Sequence, residues 1–371
     1  MIPVYEPAIE EEEIKFVVDA LKKGELSGTF GHYLENFEKE FANYSGCKFG
    51  VAVSSGSTAL HLAVAASGIL PGDEVLISAS TNIATALSVV HNGALPVPVD
   101  SEEETWNLNV DLIESLITKN TKAIIPVHLF GHPVDMDSLM KVANKYNLIV
   151  IEDCAESHGA EYKGKKTGSF GDMGCYSFYA NKIITTGEGG MVVTNDEVLA
   201  EKLKLLRNLA FSEPRFMHKV AGFNFRMTGY QAAMGLAQTR KLEKIVEAKR
   251  VVAQNYNRCL TNIKGLQLPV ERDWAKNVYW VYSVVVNPSF GITRDELAKE
   301  LKAEGIETRT FFCSMADQPC LKNIAGFKAK STPVASRIWN SGLYLPSSHT
   351  LSVSNIEFVS NKIKKIKDRS C

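Results

Sequence analysis

The chain has 371 residues, long for one domain and enough for two or three lobes around a large buried core. It is 45% hydrophobic and 22% charged, and 41 Lys plus Arg against 42 Asp plus Glu leave a formal charge of −1, so no overall field draws in nucleic acid or anionic lipid. Seven scattered cysteines with no CxxC pair argue against a zinc knuckle or a disulfide framework, and their odd number fits a reducing cytoplasm.

The first segment, MIPVYEPAIEEEEIKFV, is acidic where a signal peptide would be basic and then apolar. From about 47 to 195 apolar runs alternate with helical stretches: FGVAV and a helix from 57, then DEVLIS, ALPVPVD, TKAIIPVHL, LIVIED, GCYSFY and GGMVVTN. That alternation predicts a mainly parallel sheet with helices on both faces, whose ligands sit beyond the carboxyl ends of the strands. Residues 75–99 are uncharged over a membrane-spanning length, but their Ser, Thr, Asn, His and Pro content argues against lipid. From about 197 the pattern turns helical, and GYQAAMGLAQTRKLEKIVEAKRVVAQNYNRCL reads as one run long enough to bridge two lobes. After about 262, YWVYSVVV, ITRDELAKELKAEG and IEFVSNKIKKIKDR predict a smaller α/β lobe, the terminal basic charges forming a solvated helix face.

Chemistry is sought just after the strands. Behind FGVAV, Gly56 permits a tight turn and Ser57 and Thr58 open a helix, whose free N–H groups suit a phosphate; alternatively the hydroxyls are a plain N-cap. Behind LIVI come Glu152 and Asp153, then Glu156: an acid there needs a cation or hydrogen bonds, supplied either by a protonated ring nitrogen or by a structural ion pair. Behind GCYSFY comes Lys182, followed by TTGEGG. A desolvated lysine becomes an amine nucleophile able to form a Schiff base, whereas the same residue on the surface beside a turn would do nothing. Phosphate cradle, carboxylate and lysine in this order are the parts that hold pyridoxal phosphate.

Two other motifs point away from rival chemistries. His128 and His132 have the i, i+4 spacing of a metal pair, but Gly131 and Pro133 break the helix that spacing requires, so no metal is expected. GEGG at 187–190 is not GxGxxG and precedes a strand, which disfavours a dinucleotide.

With those residues assembled, the chain resembles the DegT/DnrJ/EryC1/StrS family of sugar aminotransferases, within fold-type I pyridoxal-phosphate enzymes. The likeness runs from EPAIEEEEI through SSGSTALHLA, GALPVPVD, TKAIIPVHLFGHPVDMD, IEDCAESHGA and SFYANKIITTGEGGMVVTND to GFNFRMTGYQAAMGLAQ. It implies an aspartate-aminotransferase-like α/β fold, with a large cofactor domain at 1–245 and a smaller C-terminal α/β domain at 246–371. By the same resemblance Lys182 is the Schiff-base lysine, Asp153 the partner of the pyridine nitrogen and Glu156 a second residue near the ring. Gly56, Ser57, Thr58 and Ser177 match the phosphate contacts, and Asn224 resembles an asparagine reaching the phosphate from the other subunit, which implies a homodimer with shared sites. His218 and Arg309 are candidate substrate contacts. A lysine at 182, where relatives that remove a hydroxyl carry histidine, favours transamination from L-glutamate to a keto sugar, most simply a nucleotide-linked 4-keto-6-deoxy sugar. Other keto sugars or a cyclitol are the rival substrates, and a sensor that binds cofactor or sugar is the rival outside enzymes.

The chain departs from the family's pattern in three places. TNIAT puts Asn82 where relatives commonly stack an aromatic ring on the cofactor. RTFFCSMA keeps Arg309 but carries Ser314 and Ala316 where Pro and His are usual, and GELSGTFG replaces a WISSxG-like stretch.

Overall fold

A computed structural model describes residues 1–370. All seven strands anticipated between 47 and 195 form one sheet: β1 Phe49–Val53, β2 Glu74–Ser78, β3 Leu95–Val99, β4 Thr121–Ile125, β5 Ile149–Asp153, β6 Met173–Ser177 and β7 Gly190–Thr194. Their order is β1-β7-β6-β5-β4-β2-β3. Every neighbouring pair from β6 to β3 is parallel, whereas β7 runs antiparallel to both β1 and β6. The reason is the connection: β6 reaches β7 through residues 178–189 without a helix, and a parallel return would need a crossover. At the other edge, β3 reads LPVPV; Pro96 and Pro98 have no N–H to donate, which an edge strand tolerates.

Helices cover both faces. His32–Tyr44 and Gly229–Arg240 pack Phe37, Phe41, Ala232 and Leu236 into one buried cluster, while Gly56–Ala66 supplies Leu60, Leu62 and Val64 to another. The C-terminal part adds an antiparallel sheet, β8 Leu266–Gln267, β9 Tyr282–Val286, β10 Arg309–Thr310 and β11 Gly342–Leu345, in the order β8-β9-β11-β10. The helices Arg294–Ala303 and Val353–Arg369 bury Leu297, Leu301, Val359 and Ile363 against it.

The long run predicted from 229 to 260 is two helices, Gly229–Arg240 and Leu242–Leu260. Lys241 leaves helical geometry at φ −113°, ψ 10°, and its ammonium holds Glu10 and Glu13 at 2.9 and 2.5 Å. The second helix alone does the bridging: Leu242 and Val246 enter the core beneath the large sheet, and Val252 and Tyr256 enter that of the small one. Among the described residues no helix is long and apolar enough to cross a membrane.

Lys249, at the middle of that helix, is buried and donates to the carbonyls of Trp280 (2.8 Å) and Ser347. Burial pushes its ammonium from 10.5 down to about 7. Above that value the folded chain carries fewer protons than the unfolded one, so Lys249 adds stability as pH rises and is most costly in acid. Lys249→Met leaves two carbonyls without a donor, and chemical denaturation is expected to show it losing more stability in mildly alkaline than in mildly acidic buffer.

Candidate active site

A cavity of about 710 Å³ opens at the carboxyl ends of β1, β5 and β6. Its far wall comes from the C-terminal part through Trp280, Val281, Arg309 and Phe312, and Tyr5 closes it from the N-terminal segment. That segment is anchored to the C-terminal part by Glu307 N to Ile2 O at 2.9 Å and Ser347 N to Val4 O at 3.0 Å.

Lys182 is held from three directions. Its own N–H bonds Tyr179 O at 2.9 Å, its carbonyl accepts from Tyr5 Oη at 2.7 Å, and the preceding Asn181 carbonyl accepts from Trp280 Nε1 at 2.7 Å. The ammonium lies 3.7 Å from the centre of the Trp280 ring. The residue is only 9% exposed, and burial pulls its pKa down while Glu156 and Asp153 oppose the shift. The sequence-level alternative of a surface lysine is thereby excluded.

Glu152 and Asp153 are consecutive on β5 and therefore face opposite sides of the sheet. Glu152 accepts from Gly168 N (2.7 Å), Phe170 N (2.7 Å), Gly171 N (2.8 Å) and His128 Nε2 (3.0 Å), all inside the protein. His128 Nδ1 accepts in turn from Val134 N at 3.0 Å, so its other nitrogen carries the proton toward Glu152. His128, Glu152 and Cys154 have ligand atoms within 4.8 Å of one another, but the donors just named already occupy the carboxylate and imidazole. His132 bonds Arg272 N and the Pro133 carbonyl instead of sharing an ion with His128.

Asp153 faces the cavity. Its oxygens accept from Thr85 Oγ1 at 2.8 Å and Ala155 N at 3.1 Å, and Thr85 is braced by Thr81 at 2.9 Å. Burial raises its pKa despite those bonds and the Lys182 charge, so a cation brought against the carboxyl would favour its ionised form. Glu156 accepts from Phe130 N at 2.8 Å, and burial likewise lifts it above the usual carboxylate range.

The helix Gly56–Ala66 points its first turn into the same cavity. Gly56 and Ser57 have N–H groups with no carbonyl to reach within the helix. Ser177, at the end of β6, stands so close that a Cβ on Gly56 would meet its Cβ at 2.5 Å. Gly56→Ala is therefore expected to cost about 1–3 kcal/mol through overpacking, measurable by urea denaturation. Thr58 does not line the cavity: its hydroxyl donates to Ser55 O (2.9 Å) and accepts from Ser55 N (2.9 Å), completing a capping box. The N-cap is Ser55, with Thr58 the N3 residue of its box, and Ser55, Ser57 and Ser177 line the cavity.

Asn82 lines the cavity but is itself an N-cap, accepting from Ala84 N at 3.0 Å for the helix Ile83–Val90 that carries Thr85. Two expected residues lie elsewhere. Asn224 is exposed, its sequence neighbours Phe223 and Phe225 stacking on each other at 4.7 Å, and His218 is exposed with Nδ1 2.8 Å from Leu209 O. Sequence reasoning missed Trp280, Tyr5, Thr85 and Tyr344. Thr85 sits inside the quoted TNIAT, but no local pattern marks the other three as cavity residues.

A profile of the DegT/DnrJ/EryC1/StrS aminotransferase family matches residues 7–364. The chain belongs to this family. GDP-perosamine synthase of Caulobacter vibrioides is 42% identical over 360 residues, 96% of each chain. A dTDP-3-amino-3,4,6-trideoxy-alpha-D-glucose transaminase of Streptomyces venezuelae is 39% identical over 305 residues, covering 81% of this chain and 79% of that one. Among solved structures, the PLP-form of Spr1654, a putative sugar aminotransferase of Streptococcus pneumoniae, aligns over 100% of this chain and 99% of its own, with a TM-score of 0.93 at 25% identity.

Pyridoxal phosphate fits the residues found here on chemical grounds. Asp153 is a buried carboxylate awaiting a cation, Lys182 a desolvated amine, and the Gly56–Ser57 turn with Ser177 a set of donors without internal acceptors.

Proposed function

We propose that this protein is a pyridoxal-phosphate-dependent aminotransferase that moves an amino group from L-glutamate to C4 of a nucleotide-linked 4-keto-6-deoxy sugar in the cytoplasm. The observation that carries the proposal is Lys182 Nζ, buried against Trp280 in one cavity with Asp153 and a helix N-terminus. GDP-perosamine synthase, 42% identical over nearly the full length, supports the choice of sugar.

Ser57, Ser177 and the backbone of Gly56 would hold the phosphate, and Asp153 would hold the proton on the ring nitrogen. When bound, pyridoxal phosphate supplies an aldehyde that condenses with amines and an electron-poor ring that accepts the electrons of a broken C–H bond. The chain supplies the proton traffic. Lys182 Nζ, whose pKa burial has lowered, would act as the base at the donor's α-carbon in the first half-reaction and as the acid at the acceptor carbon in the second. Thr85 and Thr81 fix the Asp153 carboxyl in place for its task. Trp280 and Tyr5 close the cavity around the amine and limit water there. Asn224, exposed on its own subunit, would reach the phosphate of a second copy, giving a homodimer with shared sites. His218 would meet substrate at the same boundary.

The deciding experiment is the visible spectrum of the protein with pyridoxal phosphate, before and after L-glutamate or L-glutamine. A yellow band that glutamate bleaches, followed by recovery with a GDP-linked 4-keto-6-deoxy sugar, is the expected result. Recovery only with a dTDP- or UDP-linked sugar or scyllo-inosose would change the substrate. A band indifferent to every amino acid would refute transamination, and no band would favour a sensor.

A further inference from the structure

Lys249 is a buried lysine that the proposed chemistry does not use, and it sits where two strands part. The ladder between β9 and β11 has Tyr282 opposite Leu345 at this end. Two residues further along each strand, Trp280 and Ser347 turn to other partners: Trp280 N bonds Phe130 O at 2.9 Å and Ser347 N bonds Val4 O at 3.0 Å. Their two carbonyls both accept from Lys249 Nζ, that of Trp280 at 2.8 Å. A lysine suits this place, because an apolar stem crosses the core and carries three donors on one atom.

From that amine two arms run to the reacting lysine. Trp280 gives its indole N–H to Asn181 O at 2.7 Å and lays its ring 3.7 Å from Lys182 Nζ. Ser347 holds Val4, and the next residue, Tyr5, gives its hydroxyl to Lys182 O at 2.7 Å. Glu6 N bonds Ser348 Oγ at 2.6 Å, so the N-terminal segment is pinned on both sides of Tyr5. We infer that Lys249 is a positioning residue for Lys182, holding Trp280 and Tyr5 in place around it. Its part in turnover rests on the aminotransferase reading above.

Without Lys249 both carbonyls lose their donor, and the parted strands must separate further or admit water. Burial is what lowers the pKa of Lys182, so loosened arms let its amine return toward the ordinary lysine range. Asp153, Glu156 and His158 feel the Lys182 charge, and all three remain in the variants below. His349 feels the Lys249 charge but lines a separate small cavity.

The test compares the full-length wild type with Lys249→Met and with Lys249→Arg, which keeps donors for both carbonyls. In cofactor-free protein, labelling with acetic anhydride across a pH series, read at Lys182 by mass spectrometry, gives the midpoint at which its amine becomes reactive. That midpoint is expected to rise in Lys249→Met toward that of exposed lysines and to fall back most of the way in Lys249→Arg. With pyridoxal phosphate bound, the L-glutamate half-reaction of Lys249→Met should slow about tenfold at neutral pH, its rising limb displaced to higher pH. If circular dichroism shows Lys249→Met unfolded, Lys249→Gln, which keeps one donor group, carries the same measurements. An unchanged Lys182 midpoint in the folded variant would overturn the inference. Equal loss of rate at every pH would overturn it too, leaving Lys249 a purely structural residue. A wild-type protein that takes an amino group from no amino acid would sink the aminotransferase reading, whereas the midpoint shift, measured without cofactor, would still show Lys249 positioning Lys182.

Discussion

Lys182→Ala is expected to lower turnover by at least about a thousandfold while the chain still folds, because a proton carrier and nucleophile is lost but no hydrogen bond of its side chain holds the scaffold. Tyr5 and Tyr179 bond the backbone of residue 182, which alanine retains. Circular dichroism and single-turnover kinetics with L-glutamate check the two halves of this statement, and normal turnover by a folded variant would refute the assignment. The variant's stability should also acquire a steeper pH dependence. Lys182 has a lowered pKa, so in the wild type it adds stability as pH rises; Glu156 has a raised one and removes stability as pH rises. Taking Lys182 away deletes the first contribution and enlarges the second, since its charge opposed the rise at Glu156. The loss relative to wild type should therefore grow from mildly acidic to mildly alkaline buffer.

The second large effect separates two neighbours on β5. Glu152→Gln should cost at least about 2 kcal/mol. Each Glu152 oxygen accepts two donors, Phe170 N and Gly171 N on one, Gly168 N and His128 Nε2 on the other, so the amide nitrogen faces donors in either orientation. Asp153→Asn should leave stability unchanged or slightly improved, because burial penalises the charge it removes, and Thr85 can turn its hydroxyl to accept from the new amide. It should slow turnover about a hundredfold to a thousandfold through the lost electrostatic partner of the ring nitrogen. Thermal denaturation and steady-state kinetics on both variants give opposite patterns if the two carboxylates divide the work this way. A stable, fully active Glu152→Gln together with an unfolded Asp153→Asn would reverse it.

The strands were legible because apolar runs bounded by turns carry their own signal, and the loop after each strand could be searched directly. Lys182, Asp153 and Ser57 were singled out in that way, each from local text, whereas Ser177 entered only through the family resemblance. The direction of β7 was not legible, since GGMVVTN reads the same whether its neighbours are parallel or antiparallel. The division between Glu152 and Asp153 was half legible: period two sends them to opposite faces, but only the packed structure shows which face is the cavity. Lys241 interrupts its helix with neither Gly nor Pro, held by acids more than two hundred residues away in sequence, so no local rule could place the break. Trp280, Tyr5 and Tyr344 reach the cavity from the two ends of the chain, and their roles exist only after the lobes have packed.

The indole of Trp280, fixed by its N–H and stacked on the Lys182 ammonium, also gives the protein an internal optical probe. A chromophore attached at that lysine would lie in near contact with one tryptophan and accept its excitation. Emission from Trp280 should then be quenched when the cofactor is covalently seated and recover as it leaves. Comparison with Trp280→Phe isolates that signal from the other three tryptophans. Occupancy of the amine could be followed in real time without any substrate present.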